Sequence, residues 1–559
     1  RTKVLTMKSI VIKNGTVIDG SGSPGFLADV LVEEGRISAI GANLQGDTEL
    51  EASGCVVAPG FIDIHTHYDA QVFWDSGLTP SSFHGVTTVI AGNCGFSIAP
   101  TRPEHRELIA RTLENVEDMD VAALRAGVPW NFTTFPEYLD AVRNLPLGLN
   151  FTAYIGHTAL RLFVMGDAAY ERTATDEEIA RMVEVLTDAL NSGAAGFATS
   201  VAPTHRGVDG KPIPSRFADR KELEALFSCV GEVGKGVVEV TPGEILPLAD
   251  IYDLQLESGA PFTITALLST PSMSHRNFVE LNRSGWQRGA RVWPQVSPRP
   301  LSFAMSLAEP FTFNVNSVFA ELLSGTLAER EVAYADRDWR DRARDVWSTG
   351  TFMVPRWETF EISECPSAPT LEGMRIADLA AAQHCDPFDF LLDLALEQEG
   401  LMLRVRCIVA NDDPDEVALL ITEEHCALGL SDAGAHVGQL CDAPQATDLL
   451  GNWVRDRGVM TLEQAVYRLT KSQADLFKLI DRGEIRIGAW ADIVVFDPRT
   501  VAPGPVRRIA DFPAGSERLT ADQPSGVRHV LVNGTPIRLN EQQMPLGAGP
   551  GVIAQIGSQ

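Results

Sequence analysis

Eight short segments rich in apolar or β-branched residues recur through the middle of the chain, and polar or small residues follow them. They end near residues 65–67, 93–95, 156–157, 199–200, 239–241, 266–268, 295–297 and 431–433. Strand-like segments that alternate with helical patterns predict a parallel sheet, and eight is the number of strands in a (β/α)8 barrel. We therefore predict an α/β fold of the TIM-barrel type, whose polar strand ends form the functional face.

The helix between the third and fourth segments is clearly marked. Thr175, followed three residues later by Glu178, is typical of a capping box at a helix start, and Gly193 is suited to end the helix. Thr461 opens a later segment with Gln464 in the same spacing. These signals support the predicted alternation of strands and helices.

The two ends of the chain share a different, β-rich pattern. Residues 7–57 and 483–540 contain short β-rich runs separated by turn signals such as Asn14-Gly15. Since chain termini commonly lie close in space, we predict that both ends build one small β domain beside a barrel of residues 58–482. The long interval before the eighth segment predicts an inserted lid subdomain near residues 305–370.

The charge balance of the 559-residue chain restricts its partners. Lys and Arg number 46 and Asp and Glu number 74, which gives a net charge of −28. Such a chain repels nucleic acid and anionic membranes, so we expect neither as a partner. An anionic small molecule would need local arginine or lysine side chains in order to bind.

The cysteines and the apolar pattern bear on the cellular compartment. The 8 cysteines are scattered, without a CxxC pair or a disulfide-like spacing. No signal-peptide pattern and no apolar run of membrane-spanning length occurs. We therefore expect a cytoplasmic protein without membrane association. The sequence does not fix the number of subunits, and it is compatible with a homo-oligomer.

Potential metal ligands follow the first, second and eighth segments. His65 and His67 are two positions apart, so on a strand both imidazoles point to one face. Cys94 lies between glycines after the second segment, although a lone cysteine is more often a small buried apolar residue. Asp432 follows the eighth segment, where its alternative role is a turn or helix cap. Since the eighth strand closes a barrel beside the first, these ligands together suit Zn²⁺.

Four segments carry a resemblance to a known family. They are residues 59–67 (PGFIDIHTH), 92–100 (GNCGFSIAP), 156–161 (GHTALR) and 489–497 (AWADIVVFD). Together they resemble the amidohydrolase superfamily and, within it, the D-aminoacylase or N-acyl-D-amino-acid deacylase branch, over about residues 8–540. The resemblance implies a distorted metal-dependent barrel beside a small β-sandwich, with the HxH pair, Asp432 and Cys94 at the metal.

Two histidines of that branch are missing here. Members of the branch carry one at the end of the fifth strand and one at the end of the sixth, but this chain has Glu239 in the fifth segment and no histidine in the sixth. Glu239 could supply a replacement carboxylate, or it could be an ordinary strand residue. We therefore expect one zinc ion rather than two, held by His65, His67, Asp432 and Cys94 or Glu239.

The resemblance also implies a reaction, the metal-assisted hydrolysis of an amide. Asp432 would take a proton from the attacking water and return it to the leaving nitrogen. His157 is a second catalytic candidate that could stabilise the oxyanion, and its alternative role is a hydrogen bond in the core.

Cationic and titratable residues near the strand ends are candidates for binding a substrate carboxylate. Arg206 and Arg216 lie in a Gly- and Pro-rich loop after the fourth segment, where a solvated loop with incidental charge is the alternative. His205 lies in the same loop, and Arg161 and His436 are weaker candidates.

Three functions are compatible with these features. The first is a zinc-dependent hydrolase of N-acyl amino acids, whose substrate is an anionic small molecule of D configuration. The second is an amidohydrolase for another amide, a cyclic amide or an ester. The third, from a different class, is a metal-free barrel with a structural or assembly role, because a fold alone does not confer function.

Overall fold

A parallel sheet organises the chain in the computed structural model, which describes residues 9–207, 210–323, 325–350 and 353–559. Within these residues eight strands join in chain order into one sheet, and every neighbouring pair is parallel. The strands are β1 Phe61–Asp63, β2 Val86–Ala91, β3 Asn150–Gly156, β4 Gly196–Ser200, β5 Val237–Thr241, β6 Phe262–Ile264, β7 Val292–Val296 and β8 Ala427–Leu428. The predicted α/β class is confirmed.

The two edge strands of this sheet, β1 and β8, approach each other beyond their carboxyl ends. Thr66 and Ala433 form a parallel bridge, and the N–H of His67 donates to the carbonyl of Ala433 at 2.7 Å. The Ser431 hydroxyl donates to the His65 carbonyl at 3.0 Å, across 366 positions of the sequence. The polar segments after β1 and β8 therefore lie side by side.

Helices alternate with the strands along the chain. The predicted capping box of Thr175 and Glu178 is present, and Gly193 ends that helix with a φ of 111°. No helix in the described part of the chain is both long enough and apolar enough to cross a membrane. The α-helices are α1 Arg106–Glu117, α2 Val121–Gly127, α3 Phe135–Arg143, α4 His157–Met165, α5 Asp176–Ser192, α6 Arg220–Val233, α7 Leu248–Ser258, α8 Ser274–Gln287, α9 Ser317–Ala320, α10 Leu327–Ala335, α11 Arg337–Thr349, α12 Ile376–Ala382, α13 Pro387–Leu396, α14 Pro414–Thr422, α15 Gln445–Asp448, α16 Leu462–Leu469 and α17 Lys471–Phe477, with a π-helix at Leu449–Asp456.

A second sheet unites both ends of the chain. Its N-terminal and C-terminal halves join where Val57 pairs with Val495 in antiparallel register. Val57 and Val495 are fully buried in a core cluster of this region, which explains why alternating apolar residues occur at both ends. The strands of this nine-stranded sheet are Ser9–Val17, Phe26–Glu33, Arg36–Gly41, Thr48–Glu51, Val56–Pro59, Ile493–Phe496, Val527–Val532, Thr535–Leu539 and Gln542–Gln543. A two-layer sandwich packing of this region stays a prediction.

An inserted segment between β7 and β8 has an apolar core of its own. Its strands Leu301–Ser306, Arg404–Ala410 and Glu361–Glu364 form an antiparallel sheet in that spatial order, and α9 to α13 lie between them in sequence. The core is rich in aromatic side chains, including Phe313, Phe319, Tyr334, Trp339, Trp347 and Phe388. The segment therefore packs as a folded unit.

Candidate metal centre and active site

Four side chains converge where β1, β2 and β8 end, and we call them the metal cluster: His65, His67, Cys94 and Asp432. The Nε2 atoms of His65 and His67 are 3.3 Å apart, and the Cys94 Sγ lies 3.6 Å from the His65 Nε2. The Asp432 Oδ1 lies 3.0 Å from the His65 Nε2 and 3.7 Å from the His67 Nε2. The two imidazoles and the thiol are buried, whereas 20% of the Asp432 side chain is exposed, which leaves one side open.

Local backbone conformations aim two of these side chains into the cluster. Cys94 and Asp432 have φ angles of 55° and 48°, a left-handed conformation that turns the chain sharply just after a strand. Gly92, before the cysteine, has a φ of 78°, and a Cβ there would lie only 2.5 Å from the Tyr154 carbonyl oxygen. The glycine therefore allows the cysteine turn to pack against β3.

The distances within the metal cluster suit a tetrahedral zinc ion. Zinc bonds to nitrogen at about 2.0 to 2.1 Å and to sulfur at about 2.3 Å, so tetrahedral geometry separates two nitrogens by about 3.3 Å, and a nitrogen from a sulfur by about 3.6 Å. The His65–His67 and His65–Cys94 distances are 3.3 and 3.6 Å. Ligand atoms of the two histidines and the cysteine all lie within 4.8 Å of one another. The donor atoms of these residues are thus spaced as a zinc ion requires.

Acceptor oxygens lie behind both imidazoles, and the one behind His65 is within hydrogen-bond distance. The Nδ1 of His65 lies 2.5 Å from the Gln295 Oε1 and 3.4 Å from the Thr265 hydroxyl. On the other imidazole, the His67 Nδ1 lies 3.3 Å from the Glu117 Oε1. An acceptor at Nδ1 favours the tautomer whose Nε2 lone pair is free to bind a metal. Both histidines can therefore present Nε2 to one point.

The β5 and β6 ends, where the expected histidines are missing, carry supporting groups instead. The Glu239 Oε2 accepts a hydrogen bond from the Cys94 backbone N–H at 2.9 Å, and its Oε1 accepts one from the Thr241 hydroxyl at 3.4 Å. Burial raises the pKa of Glu239 to about 7. The carboxyl of Glu239 thus holds the cysteine turn. The compact donor group of His65, His67 and Cys94 includes neither Glu239 nor Asp432, but the Asp432 Oδ1 lies 3.0 Å from the His65 Nε2.

Electrostatic effects within the metal cluster are strong because its two imidazoles and its thiol are buried. Burial raises the pKa of Asp432, but the imidazoles of His65 and His67 outweigh burial and hold that pKa well below its ordinary value. Burial, and then the carboxyls of Glu239 and Asp432, raise the pKa of the Cys94 thiol well above its ordinary value. A cation at this point would favour the thiolate, since a metal-bound thiol loses its proton.

Comparison with known proteins places the chain among hydrolases. The profile of the amidohydrolase family matches residues 48–235 and 343–538, which together exceed half of the sequence. The chain belongs to the amidohydrolase family. It is therefore a hydrolase that acts on carbon–nitrogen bonds, and the predicted membership of that superfamily is confirmed.

Relatives that match most of this amidohydrolase include deacylases. An N-acyl-D-aspartate deacylase of Alcaligenes xylosoxydans xylosoxydans is 37% identical over 94% of this chain and 91% of its own. A D-aminoacylase of the same organism is 28% identical over 94% of both. The solved N-acyl-D-glutamate deacylase of Bordetella bronchiseptica, complexed with zinc and a phosphonate inhibitor, is 27% identical with a TM-score of 0.68, covering 97% of this chain and 98% of that one. The resemblance to the D-aminoacylase branch is confirmed.

His157 and Arg161 of this amidohydrolase belong to a separate set of buried groups, the ion-pair cluster of His157, Arg161, Thr199 and Glu222. The His157 Nδ1 lies 2.8 Å from the Thr199 hydroxyl, and its Nε2 lies 2.7 Å from the Glu222 Oε1. Arg161 pairs with the second oxygen of Glu222 and donates to the carbonyl of Arg172 at 2.8 Å. Both ring nitrogens of His157 are engaged, so the geometry favours a core role for it rather than the expected role at the substrate.

Arg161 also differs from its expected role in substrate binding. Its side chain and that of Glu222 are 0% exposed, so its guanidinium has no open path to a ligand. Burial raises the pKa of Glu222, but the neighbouring His157 and Arg161 outweigh burial and lower it below its ordinary value. The charges of Arg161 and Glu222 therefore balance each other inside the protein.

His205 lies beside the metal cluster, as expected for a residue after the fourth strand. Its Nδ1 is 2.6 Å from the Ser200 hydroxyl, and its ring packs edge-on against Phe96 at 5.2 Å. Burial lowers its pKa to about 3, and the nearby His436 and His67 add to this effect. His205 is therefore a neutral polar group on the wall of the site.

His436 lies on the same wall and is held by the inserted segment. Its ring lies 5.3 Å from the rings of both Phe303 and Phe311. Burial lowers its pKa to about 4, against the opposing effect of Asp432. Its Nδ1 is buried without a hydrogen-bond partner in the described ranges. His436 therefore keeps a polar atom available near Asp432.

Arg206 and Arg216 lie in the loop after β4, of which Val208 and Asp209 are outside the described residues. The Arg206 Nη1 donates to the Gly210 carbonyl at 3.2 Å, and the Arg216 Nη1 donates to the Pro203 carbonyl at 3.3 Å. Burial, and then the charge of Arg206, lower the pKa of Arg216. The two positive charges are thus near each other, and the charge of Arg216 contributes to the lowered pKa of His205.

Three residues around these clusters were not recognised from the sequence: Glu117, Glu222 and Gln295. Glu117 ends α1 and Glu222 lies in α6, where acidic residues are common on exposed faces. Gln295 alone had a signal, since it lies in the seventh segment near its polar end. Burial of all three distinguishes them from surface residues, and burial depends on the tertiary fold.

Proposed function

We propose that this amidohydrolase is a zinc-dependent deacylase that releases the acyl group from an anionic N-acyl amino acid of D configuration. The convergence of His65, His67, Cys94 and Asp432 on one point is the observation that carries the proposal. The named deacylase relatives support the substrate class, because their alignments cover 94% of this chain. The small-molecule substrate would enter on the side where Asp432 is exposed.

His65, His67, Cys94 and Asp432 would hold the zinc ion. When bound, zinc polarises a carbonyl oxygen and lowers the pKa of water, which supplies the electrophilic part of hydrolysis. We propose one ion, because Glu239 is occupied by the Cys94 backbone N–H and because threonines stand near the ends of β5 and β6. The single-ion count and the ligand set are both part of the proposal.

Asp432 would move the proton. Its carboxylate is ionised at neutral pH because the imidazoles lower its pKa, and its partial exposure lets water and substrate approach. Asp432 accepts the proton of the attacking water and then donates it to the leaving amide nitrogen. The amide nitrogen departs as a neutral amine, so the carboxylate is restored for the next turnover.

The walls of the site would recognise the substrate. Arg206 and Arg216 supply positive charge in a chain of net charge −28, and neither has a salt-bridge partner within the described ranges. A substrate carboxylate would pair with one or both of them. His436 and His205 supply uncharged hydrogen-bonding groups beside Asp432.

We also propose the finer architecture that frames the site. The eight parallel strands would form a distorted (β/α)8 barrel over residues 58–482, which is supported by the bridge between Thr66 and Ala433. Residues 7–57 and 483–540 would form a small β-sandwich, and an inserted lid near residues 305–370 would cover the site. The contact of Phe303 and Phe311 with His436 supports the lid.

Elemental analysis and stereospecific hydrolysis together test the proposed function. We expect one zinc per chain, release of acetate from N-acetyl-D-aspartate or N-acetyl-D-glutamate, and at least tenfold slower release from the L-isomers. Hydantoin and ester substrates of similar size serve as controls for the rival amidohydrolase reactions. A chain that binds no zinc, or one that prefers the controls, would contradict the proposal.

A further inference from the structure

The outer nitrogen of His67 is a buried polar atom whose bonding is incomplete. No hydrogen-bond partner with good alignment is present for the His67 Nδ1 in the described part of the chain. The Glu117 Oε1 lies 3.3 Å away, within ion-pair distance. An unpaired buried nitrogen is costly, and the Glu117 Oε1 is within reach of it. The geometry therefore identifies Glu117 as the group available to His67.

Glu117 itself is placed unusually for a helical glutamate. It is the last residue of α1, and its side chain is 3% exposed. A buried carboxyl needs a partner, since its desolvation is not otherwise compensated. A cation in the metal cluster would offset this cost.

The end of α1 is fixed to the loop that follows Asp432. The Val437 N–H donates to the Glu117 carbonyl at 3.3 Å, and the Gly438 N–H donates to the Asp118 Oδ2 at 3.0 Å. The helix end thus contacts the segment after β8, while its terminal side chain reaches the histidine after β1. A defined position of Glu117 follows from these backbone contacts.

The two imidazoles have chemically different partners. The Nδ1 of His65 faces the neutral amide of Gln295 at 2.5 Å, whereas the Nδ1 of His67 faces a carboxyl group. A hydrogen bond to a carboxylate is roughly twice as strong as one to a neutral acceptor, and it makes the imidazole a better electron donor at Nε2. The two histidines would therefore be unequal ligands.

We propose that Glu117 is a positioning residue that accepts a hydrogen bond from the His67 Nδ1–H and so directs the His67 Nε2 at the metal. The proposal rests on the zinc site proposed above. Glu117 does not contact the substrate, and it acts through His67 alone. Its carboxylate also balances one of the two charges that the zinc ion brings into the buried cluster.

Zinc affinity of the full-length chain, measured by competition with a chelating dye, tests the role of Glu117. We expect Glu117→Gln to weaken zinc binding by about 10-fold to 100-fold, the usual cost of losing a group that orients a metal ligand. Glu107→Gln is the matched control, because Glu107 lies on the same helix and pairs with Arg125 at the surface. The control should bind zinc as the unmodified chain does.

Two further measurements separate positioning from folding. Glu117→Asp keeps the charge but shortens the side chain, so it should also weaken zinc binding, and it decides the question if Glu117→Gln does not fold. The melting temperatures of the metal-free forms should be similar, whereas the rise on adding zinc should shrink in both Glu117 variants. If both variants bind zinc as tightly as the unmodified chain, Glu117 has no positioning role. If the unmodified chain binds no zinc, the proposed metal site fails instead.

Discussion

The metal cluster and the ion-pair cluster both place buried histidines at strand ends, but they differ in how their hydrogen-bonding groups match. In the ion-pair cluster, Arg161 donates to Glu222, and both nitrogens of His157 meet an oxygen at 2.7 or 2.8 Å. Opposite charges face each other, and donors face acceptors. The Nε of Arg161 is buried without a hydrogen-bond partner in the described residues, but both charges of this cluster are paired with each other.

In the metal cluster, hydrogen-bond donors and acceptors are not paired in this way. Two Nε2 atoms approach to 3.3 Å, and the Asp432 carboxylate and the Cys94 sulfur lie against the His65 Nε2. When the Nδ1 atoms carry the imidazole protons, the Nε2 lone pairs, the sulfur and the carboxylate lie close together, an arrangement that a cation would complement. A buried histidine is therefore assigned a role by its partners, because burial and location at a strand end are common to His65, His67 and His157.

Substitution of Asp432 should have the largest effect. It should lower the rate of hydrolysis without unfolding the protein. We expect Asp432→Asn to lower kcat by about 100-fold to 10,000-fold, because the amide cannot accept the proton. Steady-state hydrolysis and urea unfolding of the same preparation measure both properties. Retention of kcat would remove Asp432 from proton transfer.

The corresponding substitution in the ion-pair cluster should have the opposite outcome. Glu222→Gln leaves the buried Arg161 charge without its carboxylate, so we expect the free energy of unfolding to fall by about 3 to 5 kcal/mol. Urea unfolding monitored by circular dichroism measures this change, and zinc stoichiometry of the folded fraction should be unaffected. An unchanged stability combined with a lost kcat would mean that His157 acts at the substrate after all.

Zinc itself should stabilise only the chain with an intact metal cluster. With free zinc at about 100 times its dissociation constant, linkage predicts about 2.7 kcal/mol of added stability. His65→Ala should lose most of this gain, whereas Thr199→Ala, in the ion-pair cluster, should keep it despite a lower starting stability. Thermal unfolding with and without a chelator compares the two variants, and equal gains would contradict the assignment of ligands.

The smallest expected effect concerns the loop arginines, which belong to neither cluster. We expect the double variant Arg206→Met and Arg216→Met to raise KM for an anionic substrate by about tenfold, since a charged hydrogen bond contributes roughly 1.5 kcal/mol or more. The kcat should change little. The corresponding N-acyl amino amide, which lacks the carboxylate, is the control substrate, and a parallel rise in its KM would exclude charge recognition by this loop.

The sequence alone was sufficient for residues whose positions follow from strand geometry. His65 and His67 share a face because they are two residues apart, and Asp432 reaches them because β8 ends beside β1. Cys94 needed the resemblance as well, since a lone cysteine gives no signal of its own. Such residues are predictable from their spacing along a strand together with the rule that the last strand of a barrel lies beside the first.

Residues that depend on long-range packing were not predictable in this way. Glu222 lies 65 positions after His157, and its burial depends on how α6 packs. Glu117 reaches His67 only because the end of α1 is attached to the loop after β8. The same physical limit explains His157, because a histidine after a strand has the same local sequence whether its ring meets a metal or a glutamate.

Ser431 donates a hydrogen bond to the carbonyl of His65, a residue 366 positions earlier in the chain, so the two partners are synthesised at different times. At about 5 to 20 residues per second, roughly 20 to 70 seconds pass between translation of the two histidines and translation of Asp432. Throughout that interval the nascent chain carries an imidazole pair without its carboxylate. The side chains of the metal cluster can therefore come together only after Asp432 has been synthesised.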